Sequence, residues 1–262
     1  MKVIILGSGT STGVPEVGCK CAVCSSGDSR DCRLRTSVLV EVDGKRILLD
    51  CGPDFRQEIM HLPFAPIDAV LISHEHYDHV GGLDDLRPFC RFADIPVFAD
   101  NYAATHLKAR MPYCLVEHKY PGIPAISMHV VDADQTFYIG NVEVTPIRVM
   151  HGRLPILGYR IGGMAYITDM LTLPEEEYGK LQNLDCLIMN ALRLEPHATH
   201  QSLSEALEKA ARIGAKDTYF IHMSHHIGLH AEVASALPPH IHLAYDGLTI
   251  PVECSVTPDI SE

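Results

Sequence analysis

In the stretch "LISHEHYDHVGG", His74, His76, Asp78 and His79 fall within six consecutive positions. Imidazole and carboxylate donors at this density suit zinc, manganese or iron. His74 and His76 are two apart, so in extended chain they point the same way and can grip one ion. Asp78 and His79 follow where the chain turns and can face a second ion close by. Two divalent ions about 3.5–4 Å apart can share a hydroxide and clamp a phosphoryl group. A lone histidine in a polar turn is ordinarily a solvated loop residue. An H-x-H-x-D-H pattern at the end of the apolar run "AVLIS" is far more specific to a metal centre.

A second set of donors lies near the N-terminus, where "EVGCKCAVC" places Cys19, Cys21 and Cys24 in C-x-C-x2-C spacing. Three thiolates are one ligand short of a closed tetrahedral zinc site. Cys32, eight residues beyond Cys24, is one candidate to close it. The other cysteines, such as Cys51, Cys90 and Cys186, have apolar neighbours and read as buried free thiols. Farther on, "HATHQSLSEAL" puts His200 two residues before Ser202, with His197 in the same loop. A histidine at such a place has an intrinsic pKa near about 6.5 and can do acid–base chemistry.

These groups require elements that end together. Short apolar runs bounded by Gly, Pro or Asp read as strands: "VIIL", "SVLVEV", "RILLD", "AVLIS", "IPVFA", "VEVTPIRV", "LGYRI", "MAYITD", "CLIMNAL", "TYFIHM" and "IHLAYD". Helical stretches are fewer: "GGLDDLRPFC", "YAATHLKARM", "PEEEYGKL", "SLSEALEKAARIG" and "LHAEVASAL". The fourth is the clearest, with Ser202 and Glu205 as a capping box and Gly214 as its stop. Strands dominate early and helices come later, which predicts an α/β (α+β) chain of two mixed sheets covered by helices. With neither repeat nor linker, residues 1–262 read as one domain, carrying a zinc loop around 18–32.

The 262 residues hold 21 Lys+Arg against 33 Asp+Glu, a formal charge of −12. That balance disfavours broad binding of a nucleic-acid backbone. It leaves room for a small phosphorylated substrate, because a local metal site can reverse the field. Mean hydropathy of +0.07 is ordinary for a globular chain, and no apolar run approaches the roughly 20 residues of a membrane span. The opening "KVIILG" is too short for a secretory signal core and reads as a strand, which sets the expectation of a cytoplasmic protein without a membrane partner.

Taken together, these motifs resemble the metallo-β-lactamase superfamily. The resemblance implies a four-layer αββα sandwich with metals at the sheet edges. It implies that His74 and His76 hold the first ion, and that His79 and Asp78, the latter also a catalytic group, hold the second. The superfamily expects a later His, a bridging Asp and a final His, each just after a strand. Here "VTPIRVMHG" supplies His151, "AYITD" supplies Asp169 and "TYFIHMSHH" supplies His222. Asp50 and Gly52 in "LLDCG" match the upstream D-x-G turn that supports the site from behind.

Within the superfamily, "LGSGTSTGVP" is similar to the opening motif of the phosphodiesterase branch. By the same resemblance His200 stands beside the scissile phosphate, where it protonates the leaving oxygen or stabilises charge on the phosphorane. The cysteine trio is similar to the structural zinc site of the cyclic-phosphate phosphodiesterase of the carbon–phosphorus lyase pathway. In that relative the fourth ligand is a histidine three residues after the last active-site His, which is His225 here. Cys32 and the adjoining His226 are its rivals.

The implied function is a dinuclear metal-dependent phosphodiesterase, hydrolysing a small cyclic nucleotide- or ribosyl-like phosphate ester through a metal-bridging hydroxide. Its cofactors would be two active-site ions, manganese or zinc, and one structural zinc. The alternatives are a nuclease like the transfer-RNA 3′-processing endonuclease, or a lactonase or thioesterase on the same fold. That endonuclease relies on a basic, glycine-rich arm, and no such insertion is read here. Relatives in this branch are often dimers, so a homodimer is an expectation left open. The stretch "RMPYCLVEHKYPGIPAI" reads as a pocket wall or an interface, and the tail "ECSVTPDISE" as peripheral.

Overall fold

A computed structural model describes residues 1–115 and 122–253. The middle of "RMPYCLVEHKYPGIPAI" and all but the first residue of the tail lie outside the described residues.

In chain order the strands are β1 (Lys2–Gly7), β2 (Ser37–Val42), β3 (Lys45–Leu49), β4 (Ala69–Leu71), β5 (Ile95–Ala99), β6 (Ile126–Val130), β7 (Phe137–Ile139), β8 (Val142–His151), β9 (Leu154–Ile161), β10 (Met164–Ile167), β11 (Cys186–Asn190), β12 (Asp217–Ile221), β13 (Ile241–Leu243) and β14 (Thr249–Pro251). They form two seven-stranded sheets, ordered β14-β1-β2-β3-β4-β5-β6 and β13-β12-β11-β10-β9-β8-β7. The helices are α1 (Phe55–Ile59), α2 (Tyr77–Val80), α3 (Asn101–Arg110), α4 (Leu203–Ile213) and α5 (His230–Ala236). No helix among the described residues is long and apolar enough to cross a membrane.

The period-2 geometry of a strand explains why the sheets read as unbroken apolar runs. In β1, Val3 and Ile5 join the core between the sheets, while Ile4 and Leu6 join an outer core shared with Phe55 of α1 and Leu107 of α3. The second sheet repeats this, with Ile188 facing inward and Leu187 and Met189 packing outward on Ala206 and Ala210 of α4. Both faces of each sheet are therefore covered, and the layers run helix, sheet, sheet, helix. This is the αββα sandwich that the resemblance implied.

Strand direction positions the site. β3, β4, β5 and β6 run parallel, as do β10, β11, β12 and β13. β8 pairs antiparallel with β9, and β9 with β10, so β8 runs the same way as β10. The carboxyl ends of β8, β10 and β12 thus share one edge of their sheet.

Each strand-like run of the sequence lies at least partly in a strand, while β6, β7 and β14 are additional. β7 and β14 have three residues each, too few for alternation to register. "GGLDDLRPFC" and "PEEEYGKL" form 3-10 segments rather than α-helices. Pro88 lacks the amide needed to continue the first, and Gly179 weakens the second. The reading of the remaining cysteines as buried needs correction at Cys32, which is exposed, and at Cys90, which is half-buried. Cys32 sits in the surface N-terminal loop after the 3-10 turn Ser29–Asp31, and Cys90 lies at the rim of the outer core.

Candidate active site

Two groups of donors assemble where the strands end. His74, His76, His151 and Asp169 form one, and Asp78, His79, Asp169 and His222 form the other; within each, the ligand atoms lie within 4.8 Å of one another. Every active-site ligand proposed from the sequence is thereby brought together, and Asp169 belongs to both groups. Its Oδ1 lies 3.2 Å from Nε2 of both His79 and His222. Its Oδ2 faces the other way, 3.8 Å from His74 Nε2 and 3.0 Å from His200 Nε2. One carboxylate therefore touches both groups.

Hydrogen bonds fix which ring nitrogen each histidine offers. His79 Nδ1 donates to Asp50 Oδ2 at 2.8 Å, so Nε2 is the nitrogen turned to the centre. His74 Nδ1 donates to Ser73 Oγ at 3.0 Å, and Ser73 Oγ donates onward to Asp50 at 2.8 Å. His151 Nδ1 donates to the carbonyls of Asp169 and Thr199 at 2.9 and 3.0 Å. These partners set the three tautomers with lone pairs toward the centre. The fit to a cation is visible in His79 Nε2, which is buried, lies 3.2 Å from both Asp78 and Asp169, and makes no hydrogen bond. Neither Asp78 nor Asp169 meets a Lys or Arg among the described residues, although Asp169 is buried and Asp78 nearly so.

Among these side chains the buried carboxylates draw positive charge to the centre, and Asp78 and Asp169 raise the His79 ring well above its ordinary value against its burial. Burial raises the Asp169 carboxyl, but His222 and His79 more than offset it and hold it well below the usual carboxylate range. Asp78 behaves alike, with His79 and His222 overcoming its burial. Burial pushes the His74 ring well below its ordinary value, keeping it neutral as a ligand must be. His200 is also lowered by burial, against the opposing pull of Asp169.

Backbone geometry carries a signal that composition did not. Asp50, Asp169 and His222 all have positive φ, at 59°, 54° and 55°. Each follows the end of its strand, and the left-handed turn swings its side chain across the sheet edge. Non-glycine residues in this conformation are uncommon and concentrate at functional sites. Gly52 serves a different need. A Cβ there would lie 2.3 Å from the Asp78 carbonyl, so only glycine lets the Asp50 loop lie flush on the ligand turn.

Sequence reasoning missed several supporting residues. Tyr166 OH donates to Asp50 at 2.7 Å from across the sandwich. Asn190 bonds both the amide and the carbonyl of Met170, pinning the turn after Asp169. Gln201 donates its backbone amide to the Met170 carbonyl at 3.1 Å, which docks the His200 loop. Isolated polar residues ending apolar strands were the available hint at Asn190; Tyr166 looked like any core aromatic.

The second set of candidate metal donors also assembles. Cys19, Cys21, Cys24 and His225 form one group, with Cys24 Sγ 3.2 Å from His225 Nδ1. Amides of Glu16 and Cys24 donate to Cys24 and Cys21 sulfur, both at 3.4 Å. Cys32 is not a member, and His226 meets His225 through the opposite ring nitrogen at 2.8 Å. Of the three rivals for the fourth position, His225 is the one placed there.

Comparison with known proteins agrees with this geometry. The family model for the Beta-lactamase superfamily domain matches residues 45–223. The chain is 48% identical to an octanoyltransferase of Porphyromonas gingivalis over 95% of its own length; it spans 51% of that relative. A solved structure of a new diphosphatase from the PhnP family superposes with a TM-score of 0.89 at 40% identity, covering 95% of this chain and 96% of that one. Zn2+-bound PqqB from Methylobacterium extorquens follows with a TM-score of 0.80 at 25% identity, covering 96% and 100%. On its sandwich fold, its ligand-bearing sheet edge and the domain match over more than half its length, the chain belongs to the metallo-β-lactamase superfamily, close to the PhnP family.

Proposed function

We propose that this protein is a metal-dependent phosphoric diester hydrolase acting on a small phosphorylated substrate. The observation that carries the reading is the placement of His200. Its ring stacks on His222 at 5.1 Å between centroids and meets His151 edge-on at 4.6 Å. It thus stands over the seam between the two ligand groups, with Nε2 aimed at the shared Asp169.

His74, His76 and His151 would hold one divalent ion and Asp78, His79 and His222 another, with Asp169 shared. Zinc or manganese bound there would supply water of lowered pKa and neutralise charge on a phosphoryl group. Asp50, through Ser73 and His79, keeps the ligands oriented. In its protonated form His200 presents Nε2–H at the site, where it can give that proton to a departing alkoxide and return to the neutral ring. An alkoxide is a poor leaving group, and that is where a positioned acid contributes most. Cys19, Cys21, Cys24 and His225 would hold a structural zinc, since three thiolates and an imidazole are a zinc donor set. The Zn2+ bound by the similar PqqB supports zinc as one of the metals.

The similar diphosphatase favours a second reading, cleavage of a phosphoanhydride. Phosphate leaves without much help from an acid, so the two readings separate by their dependence on His200. The octanoyltransferase relative is about twice as long as the stretch it shares with this chain, and its named activity is not carried over.

The test is a substrate panel on metal-loaded protein: bis(p-nitrophenyl) phosphate, uridine 2′,3′-cyclic phosphate and inorganic diphosphate. Turnover of the diesters, lost on chelation, is expected. His200→Ala should cost roughly 10²–10⁴-fold on the cyclic ester. Turnover of a lactam, lactone or thioester with no diester cleaved would overturn the proposal. Faster turnover of diphosphate, indifferent to His200, would select the second reading.

A further inference from the structure

Most of the active centre is buried, and two ligands mark its opening to solvent. Of the residues in the two ligand groups, His76 is exposed and Asp78 half-buried; the rest are buried. Between these two in the chain stands Tyr77, which is 62% exposed. Of the exposed large apolar residues among the described ones, it alone adjoins active-site ligands in sequence. Its hydroxyl makes no hydrogen bond, and its ring packs on no other aromatic ring, among the described residues.

A lone exposed aromatic is common on a protein surface and by itself calls for no explanation. Tyr77 differs in how it is held. It is the first residue of α2, and Gly81 follows four residues later on the same side of the turn. A Cβ at Gly81 would lie 2.8 Å from Tyr77 Cζ and 2.9 Å from Cε2, so the ring rests directly against the Gly81 backbone. The ring is thus backed by main chain and otherwise open to solvent. Asp78 and His79, the next two residues of the same turn, reach into the centre. The backed ring therefore stands at the rim of the opening.

An open, uncharged aromatic face recognises another flat ring, because stacking needs a π-face and no particular pattern of hydrogen bonds. A nucleotide carries its base one sugar away from its phosphate. With the phosphate at the ligand groups, a rim residue is where the base would arrive. We propose that Tyr77 is a stacking platform for the nucleobase of a nucleoside phosphate, so that a nucleotide ester is preferred over a bare sugar or polyol phosphate. This rests on the reading of the centre as a phosphodiesterase. A bare sugar phosphate has no planar ring and would leave Tyr77 unused.

The chain contains no tryptophan, so Tyr77→Trp places a single fluorescent reporter at the rim. In that variant, loaded with zinc, adenosine 2′-monophosphate should quench the fluorescence saturably. Glycerol 1-phosphate, which carries no ring, should not. Kinetics supply a second readout, on adenosine 2′,3′-cyclic phosphate and glycerol 1,2-cyclic phosphate. Tyr77→Ala should raise KM for the first about tenfold to a hundredfold more than for the second, with kcat on the two moving together. Tyr77→Phe keeps the π-face and should retain most of the wild-type KM ratio. Equal changes in KM on both esters, or no quenching by the nucleotide at millimolar concentration, would overturn the proposal. If wild type cleaves neither ester, the phosphodiesterase reading fails, while the quenching still decides whether Tyr77 receives a base.

Discussion

At Asp50 a single buried carboxylate accepts from the amide and hydroxyl of Ser73, from His79 and from Tyr166, at 2.7 to 2.8 Å. No Lys or Arg pairs with it among the described residues; its charge is spread over His79 and neutral donors that each orient something else. Through them it sets the nitrogen that His74 and His79 offer. Asp50→Asn keeps the shape but swaps an acceptor for a donor facing His79. Metal affinity should then fall about 10–100-fold, read by chelator competition, in a protein that remains folded by circular dichroism. Asp169→Asn strikes both ligand groups together, so bound active-site metal should fall for both ions by elemental analysis. Loss of only one ion would show that Asp169 is not shared. The ligands themselves were legible because each ends an apolar run. Ser73, Thr199 and Tyr166 were not, because their roles depend on what lies opposite them in space.

At the scale of elements, the site is built from strand ends held flush against neighbouring turns. The Cys51 amide donates to the His79 carbonyl, and the Gly82 amide donates to the Cys51 carbonyl. That leaves no room for a side chain at Gly52. Gly52→Ala should destabilise the fold by about 1–3 kcal/mol through overpacking, visible in urea denaturation, and weaken the Asp78 side of the centre first. Strands were legible where both faces are largely buried, as in β2 and β11, because apolar residues run there nearly without a break. α1 and α2 are five and four residues long, less than the span over which helical periodicity declares itself.

Over the whole molecule, the N-terminal loop is tied to the far end of the chain. Buried Arg33 donates to Ser8 Oγ, the Ala244 carbonyl and His230 Nδ1, at 2.9, 2.7 and 3.2 Å. Asp246 accepts from Ser8 and Leu34, and Asp31 accepts from the His230 amide. Ser8 and Thr10 in turn bond the backbone of Met223, next to the ligand His222. Burial, then Arg33 and Arg30, push His230 down to about 4 from an ordinary 6.5. A base depressed by folding contributes stability above its unfolded value and loses it as pH falls from about 6.5 toward 4. His230→Gln should flatten that acid limb by about 2 kcal/mol, measured as the difference in urea stability between pH 7.5 and 4.5. An unchanged pH slope would show that His230 does not titrate with folding. The thiolate group lies on the same tie, since His225 is three residues beyond His222. Cys21→Ser should remove one zinc per chain and lower the thermal midpoint before it lowers turnover.

What the sequence determined by itself was local: which residues can bind metal, which runs are strands buried on both faces, and the order in which ligands follow those strands. Those properties live in spacing and alternation, which a linear chain displays directly. The tertiary structure decided what depends on distant segments meeting. His225 rather than Cys32 closes the cysteine group because β12 ends beside the N-terminal loop. Asp169 reaches both ligand groups because a left-handed turn throws its side chain across the sheet edge. His200 faces the centre because Gln201 docks its loop on the turn after Asp169. Each is a contact between residues far apart in sequence, set by packing rather than by pattern.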